Sequence, residues 1–319
     1  MTNIKKKLRG PLGRLNNWFE SLSEAAFAYV MMLPVLVIFS VIALWPLYFT
    51  LETSLYADSF AGFRGEFVGV DNYVDILSGE RDNPLIRPFF DLSNPYRSIL
   101  PATLLFTFGS VAFITVFGLI EALVLNKEFR GRSIVRVAVL LPWAVPIIIQ
   151  GMIFYLLFVG DAGLGTRILN DLGILSNRPL SNSGEALAVV IMADVWKQTA
   201  FVALIVLAGL QSIDRRLYDV ARVSGASRWQ QFRLVTLPQI TSVLLVALLF
   251  ATIAAMRVYG QIEAITNCST VPSLTCAVVG TFNASRYGTS AALAFITAAL
   301  IGIVALIYLI KFRDSNGGI

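Results

Sequence analysis

Six long apolar runs punctuate the chain, at about 26–50, 99–125, 137–159, 186–210, 240–262 and 290–310. Each is long enough to span a bilayer as a helix, which takes about 20 residues. Pro34, Pro142 and Pro146 fall inside such runs. Spanning helices tolerate proline where neighbouring helices satisfy the freed backbone groups. The pattern predicts an all-α polytopic membrane protein with six transmembrane helices. The stretch between the fourth and fifth runs is different. "YDVARVSGASRWQQFRLVTLPQI", Tyr218–Ile240, is polar and helix-patterned, with a glycine in its middle and a proline near its end.

Charge orients the spans, because basic residues concentrate in cytoplasmic loops. Lys5, Lys6, Lys7, Arg9 and Arg14 precede the first run, and Lys127, Arg130, Arg132 and Arg136 lie between the second and third. Arg215, Arg216, Arg222, Arg228 and Arg233 lie between the fourth and fifth, and Lys311 and Arg313 follow the last. The alternate loops 51–98, 160–185 and 263–289 hold fewer than half as many, and 51–98 is acidic. Both termini and the stretch Tyr218–Ile240 are therefore expected in the cytoplasm. The first run exceeds the apolar core of a cleaved signal peptide, about 7–15 residues, so it is expected to remain as a span. The expected organisation is a cytoplasmic segment 1–25, a first span and outside loop 26–98, a five-helix core 99–311 and a cytoplasmic tail 312–319.

Composition removes most chemistry. Hydrophobic residues make up 56% of the 319 and charged residues only 14%, against about 25% charged in soluble domains. Without histidine, the commonest general base and metal ligand is missing. No cysteine-rich metal site can form from two cysteines. "GDAGLGTR" (160–167) resembles a phosphate loop, but Thr166 stands where that loop needs lysine. No catalytic residue, metal site or bound cofactor is expected on this chain, so energy for active transport has to come from another chain. Cys268 and Cys276 share the last outside loop. In an oxidising compartment they are placed either to bond or to stay as two partly buried thiols. Asn267 and Asn283 begin N-x-S patterns.

The polar stretch reads as two short helices. Asp214 caps the first, on which Leu217, Val220, Ala221 and Ser224 share one face. Gly225 suits a left-handed helix end. Ser227 and Gln230 form a capping box for a second helix with Trp229 and Phe232 on one side. Physically, the pair suits either an interfacial helix touching anionic headgroups or a docking element for a cytoplasmic partner.

The same stretch resembles the permease subunits of binding-protein-dependent ABC importers, which carry E-A-A-x-x-x-G-x(9)-I-x-L-P before their penultimate helix. Here Asp219-Val220-Ala221, Gly225 and Val235-Thr236-Leu237-Pro238 match that spacing, with Asp for Glu, Val for Ala and Val for Ile. "FVGVDNYVDIL" (67–77), "GLIEALVLNKEFRGRSIVRVAVLLPWAVP" (118–146) and "DVWKQTAFVALIVLAGLQSI" (194–213) are similar to elements of the carbohydrate-transporting branch (maltose, glycerol-phosphate and trehalose permeases). "TNCSTVPSLTC" replaces the Gly-Gly-Pro turn common there after the fifth span.

The resemblance implies a type I importer permease fold in a prokaryotic inner membrane. It implies partners: a second non-identical permease, two ATPase subunits holding ATP and Mg, and an extracytoplasmic solute-binding protein delivering a carbohydrate. No nucleic acid is expected to bind. The loop 214–238 would seat on the ATPase through Asp219, Val220, Ala221, Gly225, Leu237 and Pro238. Trp196, Arg257, Tyr259 and Gln261, on later spans, are candidate sugar contacts or helix braces. Asp194 and Lys197, three residues apart on the fourth run, are a candidate intramembrane pair. A transporter acting alone would be expected to show inverted repeats, and no repeat relates the halves.

Overall fold

The computed structural model describes residues 18–19, 21–60, 62–79 and 88–316. Lys5, Lys6, Lys7, Arg9 and Arg14, and the end of the 312–319 tail, lie outside the described residues. Helices dominate: α1 (Glu24–Ser54), α2 (Asp71–Ser78), α3 (Ile99–Asn126), α4 (Arg132–Ala144), α5 (Ile147–Phe158) and α6 (Leu164–Asp171). They continue as α7 (Ser183–Gln211), α8 (Arg215–Val223), α9 (Arg228–Met256), α10 (Gly260–Ile265), α11 (Leu274–Asn283) and α12 (Tyr287–Asn316). Among the described residues, α1, α3, α7, α9 and α12 are long and apolar enough to cross a membrane, and the bent pair α4 and α5 makes a sixth if it is counted as one span.

Two of the predicted spans are broken. α4 and α5 meet at 93°. Pro146 has no amide hydrogen to donate and pushes Val145 out of the helical region, to φ −68°, ψ 128°. The run 240–262 also divides, at Arg257–Tyr259 between α9 and α10, where no proline marks the break.

The chain divides into two compact units, one up to Thr53 and one from Ser54. The segment after the first span falls in the second of these units. Asn72, in the "FVGVDNYVDIL" element, is fully buried and donates to the Ser54 and Tyr56 carbonyls at 2.8 Å each. Asp58 accepts from the Thr289 amide at 2.9 Å and hydroxyl at 2.6 Å, which ties the same segment to the start of α12. Asn72→Ala leaves two carbonyls without this donor and is expected to cost about 2–3 kcal/mol. Thermal unfolding of the purified chain in detergent would show it as a clear drop in Tm, and an unchanged Tm would remove Asn72 from this role.

The core centres on α3 and α7, which pack side by side along their length in the same direction. Gly109 faces Ile191 and Gly118 faces Val202. Between lipid-embedded helices the apolar effect is weak, so close packing of small residues does more of the work. Ala122, Ala193, Ala200 and Ala203 are all buried here.

Candidate functional site

Two regions concentrate polar chemistry. The first is the pair α8 and the start of α9. Asp214 Oδ1 accepts from the Arg216 amide at 2.9 Å, which starts α8. The helix ends in a Schellman arrangement, with Ala226 N–H donating to Ala221 O at 2.9 Å and Gly225 N–H to Arg222 O at 3.0 Å. Gly225 has φ +82°, the left-handed conformation that glycine adopts without strain. Ser227 and Gln230 form a reciprocal capping box, and Trp229 stacks on Phe232 with ring centres 5.5 Å apart. These elements match those the sequence pattern predicts.

Against the packing rules, this polar pair leaves apolar side chains uncovered. Val220 is 65% exposed and Val223 90%. Asp219 and Arg222 pair across one turn at 3.6 Å, and such an exposed pair stabilises little. A polar cleft of about 650 Å³ lies beside them, lined by Glu128, Arg132, Arg215, Tyr218, Asp219 and Arg222 among others.

The second region is a polar cluster buried where α3, α5, α7 and α10 meet. Gln150 on α5 is fully buried and donates to the Ala193 carbonyl of α7. Gln261 on α10, 3% exposed, donates to Gln150 Oε1 at 3.2 Å. Asp194 is 5% exposed, with Ser110 and Gln261 flanking its carboxyl. Asp194 Oδ2, Ser110 Oγ and Thr107 Oγ1 have no hydrogen-bond partner among the described residues.

Asp194 and Lys197 do not form the direct ion pair that their spacing suggested. The Lys197 ammonium instead donates to the Val145 carbonyl, at the α4–α5 break. The break explains the choice, because it leaves a carbonyl in the bundle that no helix amide can reach. Ser273 serves the other break in the same way, donating to Val258 O at 2.8 Å. Of the four candidate pathway residues, Gln261 is tied into the buried cluster. Tyr259 is half-buried at the start of α10. Trp196 packs on Phe154 at 5.9 Å yet is 40% exposed. Arg257 is exposed at the end of α9.

A family model described as the binding-protein-dependent transport system inner membrane component matches residues 114–313. The chain belongs to this family. The permease is 35% identical over 289 residues to the trehalose/maltose transport system permease protein of Thermococcus litoralis, covering 90% of this chain and 93% of that one. It is 30% identical to the sulfoquinovosyl glycerol transport system permease protein of Agrobacterium fabrum, covering 96% of each. Its fold resembles a chain in the crystal structure of a bacterial ABC transporter involved in importing the acidic polysaccharide alginate. That match has a TM-score of 0.72 at 20% identity and covers 94% of the permease and 99% of that chain.

In the permease, Cys268 and Cys276 are joined by a disulfide with Cα atoms 5.6 Å apart. The bonded loop lies beside the α9–α10 break, because Ser273 holds Val258 O and also caps α11 through the Cys276 amide at 3.1 Å. Sequence reasoning missed Ser110, Thr107 and Ser273. Single hydroxyls in apolar runs are weak signals, since such groups commonly bond back to a carbonyl of their own helix, as Thr103 does.

Proposed function

We propose that the permease is one of two non-identical membrane subunits of an ATP-driven importer, and that it passes a carbohydrate across the membrane by alternating access. An extracytoplasmic solute-binding protein delivers the sugar. ATP and Mg are bound and hydrolysed on two partner ATPase subunits. The observation that carries this reading is the α8–α9 pair: capped at both ends, bent at Gly225, and holding Val220 and Val223 out in the open. Exposed apolar side chains on an otherwise polar, rigid element suit a surface that a partner covers. The trehalose/maltose and sulfoquinovosyl glycerol names of its relatives support the sugar assignment.

Mechanically, Asp219, Val220, Ala221 and Gly225 seat on the ATPase, and Leu237 and Pro238 pass the motion into α9. The ATPase pair drives the change only by binding one permease state more tightly than the other. α9 runs on to the break at Arg257, so a shift at its cytoplasmic end reaches the polar cluster through one helix and one joint. Trp196 and Arg257 offer an aromatic face and a guanidinium to a passing sugar. Tyr259 lies two residues beyond Arg257, and Gln261 braces α10 against α5.

Uptake by the importer reconstituted in vesicles, with a panel of mono- and oligosaccharides, tests the assignment. Saturable uptake of at least one sugar that requires ATP and the binding protein is expected. Uptake of a peptide or an ion in place of every sugar would sink the carbohydrate assignment.

A further inference from the structure

A second cleft of about 650 Å³ opens on the other side of Tyr218, and its chemistry differs from that of the polar cleft. One wall is the last part of α3, with Val116, Leu119, Ile120 and Leu123. The other is the start of α9, with Trp229 and Phe232. Two cations stand at its rim, Lys127 and Arg228, and no acidic side chain lines it. The polar cleft, by contrast, balances its arginines with Glu128 and Asp219. Neither the Lys127 ammonium nor the Arg228 guanidinium has a hydrogen bond or ion pair among the described residues, and both residues are exposed. Val116 and Ile120 are 54% and 51% exposed, and Trp229 is 68% exposed.

Depth supplies the second argument. Val116 to Asn126 covers about 16 Å of helix at about 1.5 Å per residue. That is close to half of the roughly 30 Å hydrocarbon layer. The apolar wall therefore has the length of one leaflet, and the cations sit where headgroups lie, on the side where the basic loops gather. Tryptophan at this level matches the usual interfacial belt. Basic pockets at the cytoplasmic ends of spanning helices suit phosphate headgroups.

We propose that this groove holds one anionic phospholipid of the cytoplasmic leaflet, with an acyl chain along Val116, Leu119, Ile120 and Leu123 and its phosphate between Lys127 and Arg228. The lipid would wedge α3 against the base of α9, next to the Gly225 bend. Lipid composition would then act on the element proposed to receive motion from the ATPase. The binding site itself rests only on the membrane orientation, not on the transported substrate.

Native mass spectrometry of the whole importer in mild detergent tests the site, using dioleoyl phosphatidylglycerol against dioleoyl phosphatidylcholine. Wild type is expected to retain phosphatidylglycerol preferentially. Replacing both cations, Lys127→Gln with Arg228→Gln, is expected to weaken that binding about thirtyfold. Arg216→Gln, an exposed cation outside the groove, is expected to leave it unchanged. Ile120→Trp, which fills the apolar wall, is expected to reduce retention of both lipids. Equal retention of the two lipids by wild type would overturn the proposal, as would a double variant that keeps its preference. Inorganic phosphate displacing the lipid at millimolar concentration would make this a phosphate site. Lipid retained by the isolated chain but not by the assembled importer would make the groove a subunit interface.

Discussion

Gly225→Glu is expected to lower sugar uptake by about a hundredfold while the chain still reaches the membrane at its normal level. Two features of the bend carry this. Gly225 sits at φ +82°, where a side chain costs about 1–2 kcal/mol. A Cβ at this position would meet nothing within 4 Å among the described residues. The new side chain therefore costs the permease little by collision and projects outward, onto the face where the ATPase is proposed to sit. A buried, unpaired carboxylate in the centre of a contact costs several kcal/mol, enough for the stated loss. Gly225→Ala carries the strain without the charge and is expected to retain most uptake. Co-purification with the ATPase should fall in parallel with uptake for the Glu variant. Wild-type values for both would end the docking assignment.

Gly151→Leu should act on the fold itself. Gly151 lies beside Gln150 on α5, and a Cβ there would collide with the Cβ of Ala264 on α10. The close approach of these two elements is what brings Gln150 and Gln261 within bonding distance. Overpacking typically costs 1–3 kcal/mol and sometimes more. Here it would also part a buried amide pair, at about 1–3 kcal/mol for each polar group left unpaired. Little folded, monodisperse protein is expected by size-exclusion chromatography in detergent. Gly151→Ala should be milder. Pairing it with Ala264→Gly removes the opposing methyl and should recover part of the loss, as contacting residues do in double-mutant cycles. Strictly additive effects of these two changes would show that the approach of α5 to α10 is not the cause.

Local chemistry determined much of this protein. Apolar runs of sufficient length had to span, and the spacing of basic residues oriented them. Asp214, Gly225, Ser227 and Gln230 each satisfy or redirect the backbone within about five residues, so the α8–α9 bend could be read from neighbours in the chain alone. Pro146 has an equally local effect on Val145, but the run 137–159 reads as one span, and the structure bends it by 93° there. Tertiary structure decided what depends on distant partners. Lys197 looked like the partner of Asp194, three residues away, until the broken helix 52 positions earlier presented a free carbonyl. The break at Arg257–Tyr259 has no proline, and Ser273, 15 residues on, supplies a donor to Val258 at that point. Gln150 and Gln261 are 111 residues apart. A polar group in an apolar run must find a partner, and the sequence shows that demand. Which partner meets it depends on which helices pack together, and no local pattern encodes that choice.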